Sequence, residues 1–357
     1  MKENIYICTT LRHLLFSLII SKKKAHEMNH VIFCIDHQNV DVKTINLKNN
    51  LDKNTFVYYV NEREMIDHFV DGNLFSFSTF ISRNIHIGLK GFLFPKHFIG
   101  KEIRKINNFK INSSVYLYHN GTFLSKYFRC FNEVFLIEDG LVNYSIIEVS
   151  NPIKKIIRFL TKQKSKYVMG EEEYINKIYL MEPTRAHPRV RFKVENLKRL
   201  LGDIDEIEIQ RLYSIFKFPN IRDRAVFFLT QALDIAGLCL KNEKIDIYRR
   251  ILNELKMKVN DKIYIKIHPA EDMQDYLSLQ KEVENIEFID SKVPFELLHL
   301  ACPNAQVYSL YSSSMSSLNM VKNGGNLIVS VDVWRRFECS EIVSEAIIEL
   351  NRLCKDS

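Results

Sequence analysis

The sequence of 357 residues is poor in the residues that break regular structure, with 11 glycines and 8 prolines, and it has a single tryptophan. Charged residues make up only 26% of the chain. A collagen-like chain would be rich in glycine and proline, and a disordered chain would be poor in apolar residues, so both classes are excluded. Hydrophobic residues, at 46%, suffice to form sizeable cores. At about 100–200 residues per domain, the length predicts two globular domains.

Disulfide and metal-site patterns are also missing. The seven cysteines are scattered, odd in number and form no Cys-x-x-Cys pair. Most lie beside apolar residues, which predicts reduced core thiols and a cytoplasmic protein. No HExxH motif, zinc-spaced cluster, GxxxxGK[ST] loop or GxGxxG fingerprint is present. Asp203-Ile204-Asp205 resembles a DxD metal motif, but its alternation continues to Ile209 and predicts an exposed strand edge. We therefore expect no metal.

Long apolar runs and strong charge are absent as well. The longest apolar stretch, residues 225–240, contains Gln231 and Asp234 and is shorter than the roughly 20 residues of a spanning helix. Lys and Arg number 50 against 43 Asp and Glu, a net charge of +7. This surplus is too small to predict a nucleic-acid partner and is consistent with an anionic ligand or surface.

One basic segment, residues 153–166, stands apart from the rest of the chain. It contains no acidic residue, and its apolar residues Ile153, Ile156, Ile157 and Leu160 form a candidate helix face. Such a helix can lie peripherally on the inner membrane or bind an acidic ligand. It can equally be a surface helix whose apolar stripe packs on its own domain.

Short β-type runs alternate with helical patterns along the chain, which is typical of doubly wound α/β domains. The pattern predicts strands at residues 5–8, 31–35, 115–118, 134–137, 225–229, 262–267, 286–289, 306–309 and 327–329, with helices from 11 and over 123–128, 243–259 and 340–354. We therefore predict an α/β fold of two Rossmann-like domains facing a central cleft. The domains span residues 1–200 and 201–357, with a linker between about Lys193 and Arg222.

Polar residues follow several predicted strands, where ligands of open α/β sheets bind. A carboxylate there can be a general base toward a hydroxyl, and a histidine can be the acid for a leaving phosphate. Serines at a helix N-terminus can bind that phosphate, and an early helical glutamate can bind a ribose. The combination indicates nucleotide-sugar chemistry without a metal. These residues are Glu138-Asp139-Gly140, Thr230-Gln231, His268-Pro269 with Lys266 before it, Pro294 and Glu296, and Ser312-Ser313-Ser314.

Each feature also has a purely structural explanation. Asp-Gly is a common turn, a serine cluster can cap a helix, and proline with an early acidic residue suits a helix start. The position of Glu138 and His268 directly after apolar strands favours function. His187-Pro188 follows a loop-like stretch instead, so we favour the second His-Pro pair. Residues 9–13 (TTLRH) follow the first predicted strand and could contact an acceptor sugar, while Thr9 or Thr10 is at least as well suited to cap the first helix.

In this order, the acidic-acidic-glycine, His-Pro and serine motifs resemble those of the bacterial sialyltransferases and polysialyltransferases. The segments 178–183 (IYLMEP) and 228–231 (FLTQ) are also similar to that family, so the resemblance covers about residues 131–317. It implies a GT-B glycosyltransferase that moves sialic acid from CMP-sialic acid to a hydroxyl of a bacterial surface glycan, with inversion and without a metal or other cofactor. The acceptor would be a lipooligosaccharide or capsule, either free or lipid-linked.

The resemblance implies a role for each motif. Glu138 would be the base, with Asp139 and Gly140 in support, and His268 would be the acid or a phosphate-stabilising cation, followed by Pro269. The N-terminal domain would bind the acceptor and the C-terminal domain the CMP donor. Which serines correspond to the family's serine motif stays open, since residues 312–317 contain more than one Ser-Ser pair. The predicted donor-binding residues are Thr230, Gln231, Pro294, Glu296, Ser312, Ser313 and Ser314, and Lys266, which is either a phosphate or carboxylate contact or a solvated strand residue.

Two alternatives to this function stay open. A transferase for another CMP-linked 2-keto sugar, such as Kdo, would use the same chemistry. A non-catalytic, two-lobed protein that binds a sugar or nucleotide would keep the cleft but tolerate the loss of Glu138.

Overall fold

The computed structural model describes residues 1–65, 103–310 and 326–327, apart from residues 39, 49, 150, 161–163, 219–220, 222–224, 236, 291–292 and 303. Contacts between residues divide the chain into two compact units, Met1–Ile204 and Asp205–Ser357. The predicted helix 340–354, and most of the predicted strand 327–329, lie outside the described residues. The assignment of acceptor and donor to the two halves stays a prediction.

The first unit contains a parallel sheet whose strand order is β3-β2-β1-β4-β5-β8-β9, and β6 and β7 form a separate antiparallel pair. The central strands β1 and β2 are buried along nearly their whole length, as parallel strands covered on both faces must be. The strands are β1 (Glu3–Cys8), β2 (Met28–Cys34), β3 (Thr55–Val60), β4 (Ser114–Leu117), β5 (Glu133–Ile137), β6 (Ile146–Glu148), β7 (Lys166–Val168), β8 (Lys177–Leu180) and β9 (Val194–Asn196).

The helices of this unit start at polar capping residues. Thr10 caps α1 (Leu11–Lys23) by accepting a hydrogen bond from the His13 N–H, as predicted for the Thr9-Thr10 pair. Thr122 caps α2 (Phe123–Phe128) in the same way, through the Ser125 N–H. The unit also contains α3 (Pro152–Leu160) and α4 (Leu197–Leu201).

The second unit has a parallel sheet in the order β12-β11-β10-β13-β14. Both sheets thus contain the 3-2-1-4-5 arrangement of a Rossmann half, and the predicted α/β class with two Rossmann-like units is confirmed. The elements are α5 (Glu206–Phe216), β10 (Val226–Leu229), α6 (Lys241–Lys258), β11 (Ile263–Lys266), α7 (Leu277–Glu282), β12 (Ile286–Ile289), α8 (Phe295–Ala301), β13 (Gln306–Ser309) and β14 (Asn326–Leu327).

One local prediction is wrong. Residues 203–209, expected to form an exposed strand edge, instead lead into α5. Much of the predicted linker, between about Lys193 and Arg222, is itself folded into β9, α4 and α5. Asp205 accepts a hydrogen bond from the Glu208 N–H and caps the helix. The buried residues Leu212, Ile215 and Phe216 then recur at helical spacing, so the apolar face lies beyond the alternating run that suggested a strand.

The described cysteines are free, and Cys8, Cys34 and Cys302 are buried, which confirms that these three are core thiols.

Among the described residues, no helix is both long enough and apolar enough to cross a membrane.

Candidate functional site

The strand order of the first sheet reverses between β1 and β4, so the chain leaves these neighbouring strands in opposite directions. A crevice forms at such a point, outside the carboxyl ends of the strands. The structure has a cavity of about 400 Å³ there. Its lining comes from the ends of β1, β4 and β5, from the segments after β2 and β3, and from the start of α2: Thr9, His37, Glu62, His119, Gly121, Thr122, Phe123, Lys126 and Asp139.

Glu138 directly follows β5, but its side chain is fully buried. One carboxylate oxygen, Oε2, accepts hydrogen bonds from the Tyr144 hydroxyl and from the Met181 N–H, the latter at 2.7 Å. The other oxygen, Oε1, lies 3.9 Å from Nη2 of Arg12, which also donates from Nη1 to the Glu138 carbonyl at 3.2 Å. Glu138 thereby ties β5 to α1, to the turn at Tyr144 and to the segment after β8.

Burial raises the pKa of Glu138, and Arg12, Tyr144 and the Met181 N–H oppose that rise. A buried carboxylate with several partners holds its neighbours in place, because removing it would leave their donors unsatisfied. Glu138 does not line the cavity. In this structure the Glu138 side chain links the end of β5 to Tyr144, Met181 and Arg12.

Asp139 is the member of the motif that lines the cavity, and its side chain is 35% exposed. Its position is set by a tight turn in which Oδ1 of the buried Asn143 accepts from the N–H groups of Asp139 and Gly140, at 2.9 and 3.2 Å. Gly140 has φ +154° and ψ −159°, a conformation that a residue with a Cβ seldom adopts. The glycine of the motif is therefore a requirement of the turn that presents Asp139.

His13, on the first turn of α1, lies with Nε2 2.6 Å from Oδ1 of Asp139. Burial by itself would raise the pKa of Asp139, but His13, Arg12 and His119 together lower that pKa to about 2. Burial lowers the pKa of His13, which is fully enclosed. At neutral pH the cavity therefore contains an ionised carboxylate held by a buried imidazole.

Three side chains beside this cavity could supply metal ligands. The donor atoms of Cys34, His37 and Glu62 lie within 4.8 Å of one another, the one such group that the described residues contain. However, Nε2 of His37 and Oε2 of Glu62 are already hydrogen-bonded to each other at 2.9 Å, which raises the pKa of His37. Burial keeps the Cys34 thiol protonated by raising its pKa. We assign no metal to this group.

His268 lies in the second unit, immediately after β11, and is partly buried. Its Nδ1 accepts a hydrogen bond from the Ala270 N–H at 3.2 Å. Because a backbone N–H can only donate, this bond puts the proton of the neutral ring on Nε2. Burial lowers the pKa of His268, partly against the charge of Glu271. The side chain is thus a neutral Nε2–H donor at neutral pH.

The His268-Pro269 turn is anchored to a buried polar network. The His268 N–H donates to Oγ1 of Thr230 at 2.9 Å, and that hydroxyl donates to Oε2 of Glu271 at 2.8 Å. Glu271 also accepts from Nζ of the buried Lys244 at 2.8 Å and from the Tyr276 hydroxyl at 2.5 Å. Gln231, next to Thr230, exchanges backbone hydrogen bonds with the Tyr248 hydroxyl.

The remaining donor-binding candidates of this unit are mostly buried. Lys266 donates from Nζ to the carbonyl of Ile267 at 3.1 Å. Burial lowers its pKa to about 8, against the opposing charges of Asp290 and Glu296. Glu296 is also buried, on the first turn of α8, where Pro294 is the capping residue. Their contact with a donor stays a prediction.

The structure thus groups the predicted residues into two sets, one per unit. Glu138, Asp139 and Gly140 lie at the end of β5, while Thr230, Gln231, Lys266, His268 and Pro269 lie at the ends of β10 and β11. The predicted serines Ser312, Ser313 and Ser314 lie outside the described residues. Sequence reasoning considered Arg12 and His13 only as possible acceptor contacts and did not predict that they hold Glu138 and Asp139. It missed the other residues that hold these sets in place, which carry no local motif: Asn143, Tyr144, Lys244 and Glu271.

Comparison with known proteins adds an independent finding. A family model described as alpha-2,8-polysialyltransferase matches residues 4–325. No curated protein sequence matches the chain significantly.

Solved structures similar to this chain share little sequence with it, as two examples show. The UDP-N-acetylglucosamine 2-epimerase of Rickettsia bellii is 11% identical with a TM-score of 0.43, over 89% of this chain and 76% of that one. The E. coli heptosyltransferase WaaC with ADP-2-deoxy-2-fluoro heptose is 11% identical with a TM-score of 0.42, over 92% and 88%. Similarity at this level does not establish a shared activity.

Proposed function

Because the chain belongs to the alpha-2,8-polysialyltransferase family and is therefore a glycosyltransferase, we propose that it transfers sialic acid from CMP-sialic acid to a hydroxyl of a bacterial surface glycan. The family match over residues 4–325 supports this donor and an acceptor that itself ends in sialic acid. The acceptor would be capsule or lipooligosaccharide. The N-terminal unit would bind this acceptor and the C-terminal unit the donor.

Asp139 is the proposed general base. The observation that carries this assignment is that Asp139 lines the cavity with its side chain 35% exposed, whereas Glu138, the residue expected from the sequence, is fully buried and its Oε2 is already hydrogen-bonded. A base must come within hydrogen-bond reach of the proton that it removes. Glu138 would then be a positioning residue that keeps the end of β5 in place through Arg12 and Met181.

The proposed reaction is a single displacement with inversion. The acceptor hydroxyl gives its proton to Asp139, and its oxygen forms a bond to the anomeric carbon of sialic acid. The bond from that carbon to the phosphate oxygen of CMP breaks, and its electron pair leaves with CMP. The Nε2–H of His268 would donate a hydrogen bond to the departing phosphate, because Nδ1 is occupied by the Ala270 N–H. The other donor-binding candidates keep the roles that the resemblance implies.

No metal or other cofactor is required in this proposal. A leaving phosphate needs positive charge or hydrogen-bond donors. Candidate donors in the C-terminal unit are His268 and the predicted Ser312, Ser313 and Ser314. The test is transfer in the presence of EDTA, where undiminished turnover is expected and a loss restored by added Mg²⁺ or Mn²⁺ would contradict the proposal.

A paired comparison of two variants tests the function. CMP release is measured from CMP-sialic acid with an oligosialic acid acceptor, for Asp139→Asn and for Glu138→Gln. We expect transfer by the wild type and a much larger loss of kcat in Asp139→Asn. Activity with CMP-Kdo but not with CMP-sialic acid would show that the transferred sugar is Kdo and not sialic acid. CMP-sialic acid binding without any transfer would favour a non-catalytic binding protein.

We also propose that α3 contacts the inner membrane peripherally. Ile156 and Phe159 on this helix are 60% and 80% exposed, and the aromatic Phe192 is 81% exposed. Exposed apolar side chains beside basic residues, such as Lys155 and Arg158, suit an anionic lipid surface. This surface would hold the enzyme near a lipid-linked acceptor.

The test of membrane contact is co-flotation with phosphatidylglycerol vesicles and with phosphatidylcholine vesicles. We expect binding to the anionic vesicles only, and its loss in the double variant Ile156→Ser, Phe159→Ser. Ile207→Ser is the matched control, because Ile207 is equally exposed, at 82%, but lies on α5 of the other unit. Equal flotation of the wild type and the double variant would contradict the proposal.

A further inference from the structure

The carboxylate proposed as the base has a partner that no motif singled out. His13 lies 126 residues before Asp139 in the chain, yet its Nε2 is 2.6 Å from Oδ1 of Asp139. Its side chain is fully buried, while that of Asp139 is 35% exposed. The imidazole therefore lies behind the carboxylate, on the side away from the cavity.

The contacts of the ring define which nitrogen carries the proton. Nδ1 of His13 accepts a hydrogen bond from the Thr9 N–H at 3.2 Å and lies 3.1 Å from the Thr9 hydroxyl. A backbone N–H has no acceptor capacity, so Nδ1 is unprotonated. The proton of the neutral ring is then on Nε2, where it is donated to Oδ1 of Asp139.

The ring itself is held rigidly. It stacks on Tyr118, with 4.2 Å between ring centroids and an interplanar angle of 9°. The Tyr118 hydroxyl is 2.9 Å from Oγ of Ser17, which in turn lies 3.1 Å from Sγ of Cys8. All of these groups are buried in the core formed by β1, α1 and β4. A side chain fixed in this way can impose one orientation on its hydrogen-bond partner.

We propose that His13 is a positioning residue for the transfer reaction, which holds Asp139 through Oδ1 so that Oδ2 is presented to the acceptor hydroxyl. This inference rests on the proposed function of Asp139. A base that is rotated away from the hydroxyl loses its catalytic effect even when its charge is unchanged, since proton transfer depends on hydrogen-bond geometry.

His13 is not the only charged or titratable group near Asp139. Arg12 on α1 and His119 after β4 both lower the pKa of Asp139. The buried Glu138 precedes it, and Tyr118 stacks on the imidazole. His37, Glu62 and Lys126 line the same cavity. Loss of His13 should therefore raise the pKa of Asp139 only in part, while the loss of orientation should be complete.

Replacing His13 with asparagine or with glutamine separates its role in orienting Asp139 from its role in packing. The amide nitrogen of glutamine reaches about the position of Nε2, while that of asparagine reaches about the position of Nδ1. We expect His13→Asn to lower kcat by about 10–100-fold, by analogy with the loss of an outer-shell hydrogen bond that orients a metal ligand. His13→Gln should recover most of that loss. KM for the donor should be unchanged, and the acid limb of kcat/KM should move to higher pH in His13→Asn.

His26→Asn is the matched control, because His26 is 79% exposed and lies in the same unit. It should leave transfer and its pH profile unchanged. Equal kcat values and superimposable pH profiles for wild type, His13→Asn and His13→Gln would overturn the inference. A glutamine variant as impaired as the asparagine variant would also overturn it, since a structural role alone would then explain both.

A second measurement remains informative if the variants fail to fold. Long-range ¹H–¹⁵N NMR of the wild-type protein should show His13 as the neutral tautomer protonated at Nε2. A tautomer protonated at Nδ1 would overturn the inference. If Asp139→Asn keeps near-normal turnover, Asp139 is not the base and the proposed function is contradicted. The NMR result still tests whether His13 donates a hydrogen bond from Nε2 to Asp139. If Asp139→Asn abolishes transfer and His13→Asn does not, only the role of His13 fails.

Discussion

A histidine and a carboxylate occur at the ends of both β5 and β11, but the one that lies toward the surface at one strand end lies in the core at the other. After β5, a cavity-facing carboxylate, Asp139, is held by a buried histidine, His13. After β11, a partly buried histidine, His268, is held by Thr230, which donates to the buried carboxylate of Glu271. In both regions the group proposed to act lies outward and its partner lies in the core. The core therefore determines the position of a side chain at the surface.

The two regions differ in what the buried partner touches. His13 bonds the Asp139 side chain directly and so affects its charge and orientation together. Thr230 bonds the backbone of His268, and the Glu271 N–H donates to the His268 carbonyl at 2.9 Å. The network around Glu271 thus positions the turn and leaves the imidazole nitrogens to other partners. Disturbing it should affect stability more than the chemistry of the ring.

The largest expected effect is at Asp139. Removing a general base costs about 10²–10⁴-fold, so Asp139→Asn should lower kcat by roughly 10³-fold with unchanged CMP binding. Glu138→Gln should lower kcat less but destabilise the fold, because Arg12 loses its buried counter-charge. CMP release and urea unfolding measure the two effects. A folded Glu138→Gln variant with the greater loss of kcat would return the role of base to Glu138.

A smaller effect is expected at His268, on the other side of the comparison. His268→Ala should lower kcat by about 10²-fold, since one hydrogen bond to the leaving phosphate is lost. A donor with a better leaving group should recover part of the rate. His187→Ala, in the other His-Pro pair, is the matched control and should transfer normally. Equal activity of the two variants would show that His268 takes no part.

The third effect is on stability. Glu271→Gln removes a charged partner from the buried Lys244 and weakens the anchor of the His268 turn. Hydrogen bonds to charged groups contribute about 1.5–3 kcal/mol, so we expect unfolding free energy to fall by about 2 kcal/mol. Urea unfolding measures this change. Glu284→Gln, at a side chain that is 95% exposed, is the control and should shift stability by less than about 0.5 kcal/mol.

The fourth effect is a change of stability with pH. Burial lowers the folded-state pKa of His13, His30 and His268, so the stability that they confer is present above the unfolded pKa of about 6.5 and is lost as pH falls below it. His37 has the opposite sign, because Glu62 raises its pKa. Its stability is present below about pH 6.5 and is lost as pH rises through the folded pKa.

The pH prediction is measured by urea unfolding between pH 8 and 5. Stability should decline toward pH 5, by at most about 1.4 kcal/mol per pH unit for each net proton taken up on unfolding. His37→Gln should make the decline steeper, since the opposing contribution is removed. A stability that rises toward pH 5 in the wild type would contradict this prediction, because groups with a raised folded-state pKa, such as Glu138, would then outweigh the buried histidines.

Much of the fold could be predicted from local patterns. The run Val226-Phe227-Phe228-Leu229 is uniformly apolar and became the central strand β10, buried throughout. The buried face of α6, with Tyr248, Ile251, Leu252 and Leu255, was visible as a 3.6-residue period. The region after Asp203 was misjudged because an alternating run of seven residues resembles a strand when the capping interaction of Asp205 is not considered.

The candidate site was predictable to a lesser extent. A polar residue after an apolar strand lies at the ligand-binding edge of a parallel sheet, which placed Glu138, Asp139 and His268 correctly at strand ends. Which carboxylate of the Glu138-Asp139 pair faces outward could not be read from two adjacent acidic residues. That choice depends on Tyr144, Met181 and Arg12, which enclose Glu138 from three separate segments.

The sequence by itself determined the α/β class, the strand and helix positions that carry a clear apolar period, and the order of the chemical motifs. These properties depend on residues near each other in the chain, whose spacing reflects one element of structure. Only the tertiary structure decided that Asp139 faces the cavity and that His13, 126 residues away, holds it. Burial and hydrogen bonding between distant segments arise when strands assemble into a sheet, so no local pattern records them.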